Sequence, residues 1–219
     1  MATAPHKVFI TGGTGYMGSR LIPLLQERGH AVTALVRPGS ESKAPPGCRV
    51  ITGDALDPAS LKSALGDCDT WVQLIGTPNP APWKAARFRA VDLRAVTASL
   101  PALPGSSIRH YIYLSVAHPA PVMRAYTQVR MEAEAGLRAS GIPATFLRPW
   151  YVLGPGHSWP HALRPLYRIL ELLPPTREGA LRMGLVTLDQ MLRALTAAVE
   201  SPSSTVRILA VPDIRRSMA

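Results

Sequence analysis

The sequence predicts an α/β protein, a doubly wound parallel sheet with helices on both faces. Three observations predict it. Short apolar runs alternate with helix-period segments along the chain, the first such pair is joined by a glycine-rich turn, and 219 residues with 47% apolar content suffice for a sizeable core. No composition shift, internal repeat or low-complexity stretch divides the chain, so residues 1–219 read as one domain.

The first strand is expected at Val8 to Thr11 and the first helix from about Gly15 to Arg28, with Leu21, Leu24 and Leu25 on one face and Gly29 where a helix C-cap glycine belongs. A second strand, Val32 to Val36, completes a βαβ unit of about 30 residues. Further strands are expected at Val50 to Thr52, Thr70 to Ile75, His110 to Leu114, Ala144 to Leu147 and Thr205 to Ala210. Helices are expected at Ala59 to Leu65, Trp83 to Leu100, Arg124 to Ser140, Ala162 to Leu172 and Leu188 to Glu200, with Val211-Pro212-Asp213 opening a polar tail.

The turn Thr11-Gly12-Gly13-Thr14-Gly15-Tyr16-Met17-Gly18 carries the strongest functional signal. Glycines allow positive φ and close main-chain approach, and a helix start offers unpaired N–H groups at the positive dipole end. That combination seats a pyrophosphate. Gly13, Gly15 and Gly18 fit G-x-G-x-x-G, and Gly12, Gly15 and Gly18 fit G-x-x-G-x-x-G. At the end of the second strand an acidic residue would select NAD and a cation NADP. The chain has Arg37, with Ser40 and Lys43 close behind, so NADP is expected. Asp54 and Ala55 in Gly53-Asp54-Ala55-Leu56-Asp57 follow the third strand, where Asp54 either accepts from the adenine amino group or caps the helix starting near Pro58.

The formal charge of +10 is spread along the chain. Its densest cluster, Lys84, Arg87, Arg89 and Arg94 with Asp92 among them, reads as a solvated helix face, so a basic RNA-associated module is the weaker alternative. No stretch reaches the roughly 18 apolar residues of a membrane span. Met1 to Lys7 lacks a signal-peptide core, and a cytoplasmic location is expected. Cys48 and Cys68 fit neither a disulfide framework nor a metal-ligand spacing, so no metal is expected.

Taken in order, TGGTGYMG, the Arg37 strand end, GDALD, a Tyr-x-x-x-basic helix, Leu147-Arg148-Pro149-Trp150-Tyr151-Val152-Leu153-Gly154-Pro155-Gly156 and Val186-Thr187-Leu188-Asp189 resemble the extended and atypical short-chain dehydrogenase/reductase family, including its NAD-dependent epimerase-like members. The resemblance implies a Rossmann fold with a short substrate-side segment, residues 154–185. It places Gly12, Thr14, Gly15, Tyr16, Met17, Gly18, Arg37, Asp54, Ala55, Gly76, Ser115, Tyr126, Arg130, Pro149, Tyr151 and Val152 on the cofactor. It implies that Tyr126 exchanges a proton with the substrate oxygen and that Arg130, in the family's lysine position, supplies charge and ribose donors. One helical turn separates the two, and a fixed cation beside a phenol favours the phenolate.

Two departures stand out: arginine replaces lysine, and Ala117 fills the slot of the usual catalytic Ser or Thr, with His118 as a stand-in donor. His118, His157 and Trp159 are the candidate substrate contacts. The expected function is an NADP(H)-dependent oxidoreductase or epimerase-like enzyme acting on a small carbonyl or sugar-like substrate. The departures motivate an alternative, a catalytically silent NADP-binding sensor or structural protein.

Overall fold

The computed structural model describes residues 4–120, 122–156 and 174–217. Seven parallel strands form one sheet in the order β3-β2-β1-β4-β5-β6-β9. They are β1 (Lys7–Thr11), β2 (Ala31–Val36), β3 (Arg49–Thr52), β4 (Thr70–Gln73), β5 (His110–Leu114), β6 (Ala144–Arg148) and β9 (Val206–Ala210). The chain order reverses between β1 and β4, which pair in register from Val8↔Thr70 to Thr11↔Gln73. In open parallel sheets that switch point leaves a crevice at the carboxyl ends of the strands, where ligands bind.

One face of the sheet buries Leu21, Ile22 and Leu25 of α1 (Gly18–Glu27) with Met191, Leu195 and Val199 of α6 (Leu188–Glu200). The other buries Leu61 of α2 (Pro58–Ala64), Val96 of α3 and Ala133 and Leu137 of α4 (Arg124–Ala139). Helix α3 runs through three abutting stretches, Ala85–Arg87, a π-helical Phe88–Leu93 and Arg94–Thr97. Both faces of the sheet are therefore covered, as strands of near-continuous apolar residues require.

Local chemistry sets the boundaries. Helix α1 ends in a Schellman motif: Gly29 has φ +85°, its N–H reaches Gln26 O, and His30 N–H reaches Leu25 O. The start of α1 differs from expectation. Residues 12–17 form turns, and the regular helix begins at Gly18. Helix α2 is capped by Asp57, whose carboxylate accepts from Ala59 N and Ser60 N, so Asp54 is not the cap. Helix α6 begins with a capping box between Thr187 and Gln190.

Several elements were not expected. A second, two-stranded parallel sheet pairs β7 (Tyr151–Leu153) with β8 (Leu185–Thr187), α5 spans Pro174–Arg182, and the tail after β9 folds as α7 (Val211–Arg216). The helix expected at Ala162 to Leu172 lies outside the described residues, as do His157 and Trp159. Among the described residues no helix is long and apolar enough to cross a membrane.

Candidate functional site

A crevice opens over the carboxyl ends of β1 and β4. One cavity of about 520 Å³ runs from Arg37, Ser40 and Lys43, over Gly12, Thr14, Gly15, Tyr16 and Met17, to Ser115, Tyr126, Arg130, Pro149, Trp150 and Val152. A second, of about 330 Å³, shares Gly12, Thr14, Gly15, Arg37 and Gly76 with it and reaches Asp54 and Ala55. Most sequence-derived candidates thus meet at one crevice.

The glycines make its floor for stated reasons. Gly12 has φ +84°, and a Cβ there would lie 2.9 Å from Leu74 C. A Cβ on Gly18 would fall 2.3 Å from Gly12 O and 2.6 Å from Gly13 Cα, both backbone. Gly18 therefore packs beneath the turn instead of lining the cavity. Since Gly13 faces Ile22 and Ala34 and does not line either cavity, the G-x-x-G-x-x-G spacing of Gly12, Gly15 and Gly18 is the one that describes the turn.

Below the crevice a buried polar chain fixes the exit of β4. Trp71 Nε1 donates to Thr11 Oγ1, Thr11 Oγ1 to Gln73 Oε1, and Gln73 Nε2 to Ala95 O, while Ile75 N–H also reaches Gln73 Oε1. Backbone leaving β4 is held by these bonds where it passes Gly76 and Thr77. Buried polar groups are costly unless paired, so this chain rigidifies the loop.

Tyr126 and Arg130 share a face of α4, as the four-residue spacing requires. Arg130 Nη2 donates to the Tyr126 hydroxyl at 3.0 Å and to Asp92 Oδ1 at 2.6 Å, and Nη1 donates to the Tyr113 hydroxyl at 3.2 Å and Leu114 O at 2.9 Å. All four Nη hydrogens are thereby spent on protein atoms. Its remaining donor, Nε, is buried and has no hydrogen-bond partner among the described residues. Burial opposes the charge of Arg130, but the oxygens of Tyr113, Tyr126 and Asp92 outweigh it and raise its pKa further. Burial pushes the Tyr113 phenol up to about 12 against the pull of Arg130. Phe88 packs on the Tyr126 ring at 4.9 Å between centroids and fixes its position.

Asp92, read from the sequence as part of a solvated basic face, is fully buried. It takes Thr77 N–H on both oxygens and Thr77 Oγ1 at 2.6 Å, besides Arg130. One carboxylate thus joins the loop after β4 to the guanidinium beside Tyr126. The π-helical stretch around it marks the departure from simple α periodicity that hid it.

Glu134 is the second buried carboxylate that sequence reasoning missed. It accepts from Ser115 Oγ at 2.7 Å and Arg148 Nε at 2.9 Å, and pairs with Arg148 Nη2 and, at 3.3 Å, with His118 Nε2. Burial works against its charge, but the donors from His118, Arg148 and Ser115 prevail and hold it at about 2. His118 is therefore turned to Glu134 and lines neither of these two cavities. Tyr151, at the start of β7, lies outside both cavities, while its neighbour Val152 lines the first. Ala117 is buried.

A seven-stranded doubly wound sheet, a glycine turn at its switch point and a cation at the second strand end define a nicotinamide dinucleotide-binding protein of the Rossmann class. The NAD(P)H-binding family model matches residues 12–157, and the chain belongs to that family. A 3-diazoavenalumate denitrifying reductase from a Streptomyces species is 28% identical over 225 residues, 90% of this chain and 73% of the relative. A ceramide reductase of Caulobacter vibrioides is 25% identical over 219 residues, 99% of this chain and 68% of the relative. Among solved structures, the Bordetella bronchiseptica enzyme WbmH in complex with NAD+ superposes with a TM-score of 0.70 at 21% identity, over 94% of this chain and 76% of that one. That last likeness concerns the fold.

Proposed function

We propose that the protein is an NADP(H)-dependent oxidoreductase or epimerase-like enzyme acting on a small carbonyl or sugar-like substrate. The single observation behind this reading is the continuity of one cavity from Arg37 and Lys43, past the Gly12 and Gly15 backbone, to Tyr126. The residues present fit a phosphorylated dinucleotide. Gly12 and Gly15 line the cavity with bare backbone that a phosphate can approach, and Arg37, Ser40 and Lys43 gather donors at the end where a 2′-phosphate would lie.

When bound, NADPH supplies the hydride. The chain's own work is to hold the dinucleotide across the strand ends and to manage a proton. Tyr126 is the proposed acid/base, because it lines the cavity and its hydroxyl accepts from Arg130, which leaves its own proton free to donate. Arg130 acts through Tyr126 and is a positioning residue, with Asp92 holding it in turn. Asp54 and Ala55 border the adenine side; Pro149 and Val152 border the nicotinamide side.

The test is titration of the protein with NADPH and NADH, followed by turnover of Tyr126→Phe. NADPH is expected to bind more tightly, and the variant is expected to bind it equally well while losing turnover. Equal turnover would remove Tyr126 from the mechanism.

A specific observation favours a second reading, a silent NADP-binding sensor. The Arg130 charge is matched by Asp92 and all its Nη hydrogens are spent. A family lysine keeps a donor for the ribose; this arginine does not. Tight NADPH binding with no oxidation across a wide carbonyl panel would select that reading.

A further inference from the structure

We infer that Arg87 is a cofactor-binding residue whose guanidinium closes one side of the adenine slot and stacks on the base. The inference rests on the cofactor reading above and adds to it a residue of α3. By sequence, Arg87 belongs with Lys84, Arg89 and Arg94 to a basic helix face. In the structure two of those neighbours hold walls of the smaller cavity. Lys84 Nζ donates to Pro78 O at 2.9 Å and Asn79 O at 2.7 Å, and Arg94 Nε donates to Leu56 O at 3.0 Å. Pro78 and Leu56 both line that cavity. Arg89 is taken up by Glu132 at 2.8 Å. Arg87 makes no such bond among the described residues and lines the cavity itself.

Its placement is fixed by the helix beneath it. Arg87 and Val91, four residues apart, both line the cavity. The next residue in each case, Phe88 and Asp92, is buried and turned the other way. Phe88 packs on the Tyr126 ring, and Asp92 takes Arg130 Nη2 at 2.6 Å. Those two anchors set the rotation of α3, which holds Arg87 toward the cavity. The side chain stays exposed, as one that meets an incoming ligand must.

The chemistry around Arg87 suits a base better than a phosphate. Ser40 and Lys43 line the larger cavity and not this one. Here the near walls are Ala55, Leu56 and Val91, an apolar slot, and Asp54 adds a carboxylate. Leu56 N–H donates to Asp54 Oδ1 at 2.8 Å, and Asp54 N–H donates to Ser60 Oγ at 2.9 Å, so that carboxylate is held in place. A carboxylate repels a phosphate and accepts from an exocyclic amine. A guanidinium is planar and weakly hydrated, and it stacks on the π face of a purine. Asp54 then reads the edge of the adenine while Arg87 covers its face.

The experiment is calorimetric titration of the full chain with NADPH, NADH and ADP-ribose, at low and high salt, repeated on Arg87→Ala and Arg87→Lys. All three ligands carry the same adenine. Arg87→Ala is expected to weaken each by the same factor, about tenfold, leaving the NADPH to NADH ratio and the salt dependence unchanged. Arg87→Lys keeps the charge and loses the plane, so it should recover less than half of that loss on a logarithmic scale. A loss confined to NADPH, full recovery by lysine, or unchanged affinity in Arg87→Ala overturns the inference. Native protein that takes none of the three ligands brings down the cofactor reading beneath it, a separate result.

Discussion

Replacing Asp92 with Asn tests the buried ion pair that organises the site. The native carboxylate accepts three donors: Arg130 Nη2, Thr77 N–H and Thr77 Oγ1–H. An amide of the same shape brings one acceptor oxygen and an NH2 that faces donors. It also strands the Arg130 charge at a site where that residue is 4% exposed. Breaking a buried pair from one side costs about 3–5 kcal/mol, and a protein of this size loses roughly 2–4 °C in Tm per kcal/mol, so Tm should fall by about 10 °C. Urea and thermal unfolding followed by circular dichroism measure the cost. The double variant Asp92→Asn/Arg130→Met removes the stranded charge and should recover a large part of the loss, which a cycle of the two single variants and the double would show as coupling above about 1 kcal/mol. A single-variant loss below about 1 kcal/mol, or strict additivity, would refute the claim that Asp92 and Arg130 act as one unit.

Three further outcomes are expected. Gly18→Ala places a methyl 2.3 Å from Gly12 O, so the glycine turn must move; NADPH affinity should fall at least about tenfold in a titration, and unchanged affinity would mean the turn does not carry the phosphates. Arg37→Asp should weaken NADPH relative to NADH by more than about 1.4 kcal/mol, read from paired titrations, and an unchanged ratio would move the phosphate contact elsewhere. Acid should destabilise the fold in two steps. Burial, helped by the Arg207 charge, holds His110 at about 4 against an ordinary 6.5, so its contribution of about 3 kcal/mol is present above pH 6.5 and lost as pH falls toward 4. Glu134, held at about 2 against 4.5, adds a similar loss between 4.5 and 2. Urea unfolding at a series of pH values checks both; stability that stays flat from 6.5 to 4 would contradict the first.

The fold was legible where periodicity is local. Strand β5 and helix α6 fall on the residues expected, because a short continuous run of strand-forming residues and a Thr187 cap are written in adjacent residues. Strands β7 and β8 were not, since three residues each carry no period and their pairing joins positions far apart in the chain. Helix α7 had a readable start: Pro212 sits in its first turn and Asp213 Oδ2 accepts from Ala210 N at 3.0 Å.

At the site, the glycine turn, Arg37, Tyr126 and Arg130 were found through short spacings. Asp92 and Glu134 were not. Asp92 is 38 residues from Arg130 and sits among arginines that do face solvent, so its neighbours in sequence pointed the wrong way. Nothing within a helical turn of Glu134 announces Ser115, which is 19 residues before it. Ser115 itself was expected near the cofactor, but the commitment of its proton depends on a partner that only the folded chain reveals.

The two margins of the main sheet carry a consequence for self-association. Strand β3 has only four residues and opens on exposed Arg49, while β9 carries Arg207, whose guanidinium folds back onto Thr145 Oγ1 and Ser201 O. Short, arginine-bearing margins make poor templates for a strand from another molecule. Copies of this protein that meet in solution should therefore stay discrete rather than extend their sheets into ribbons.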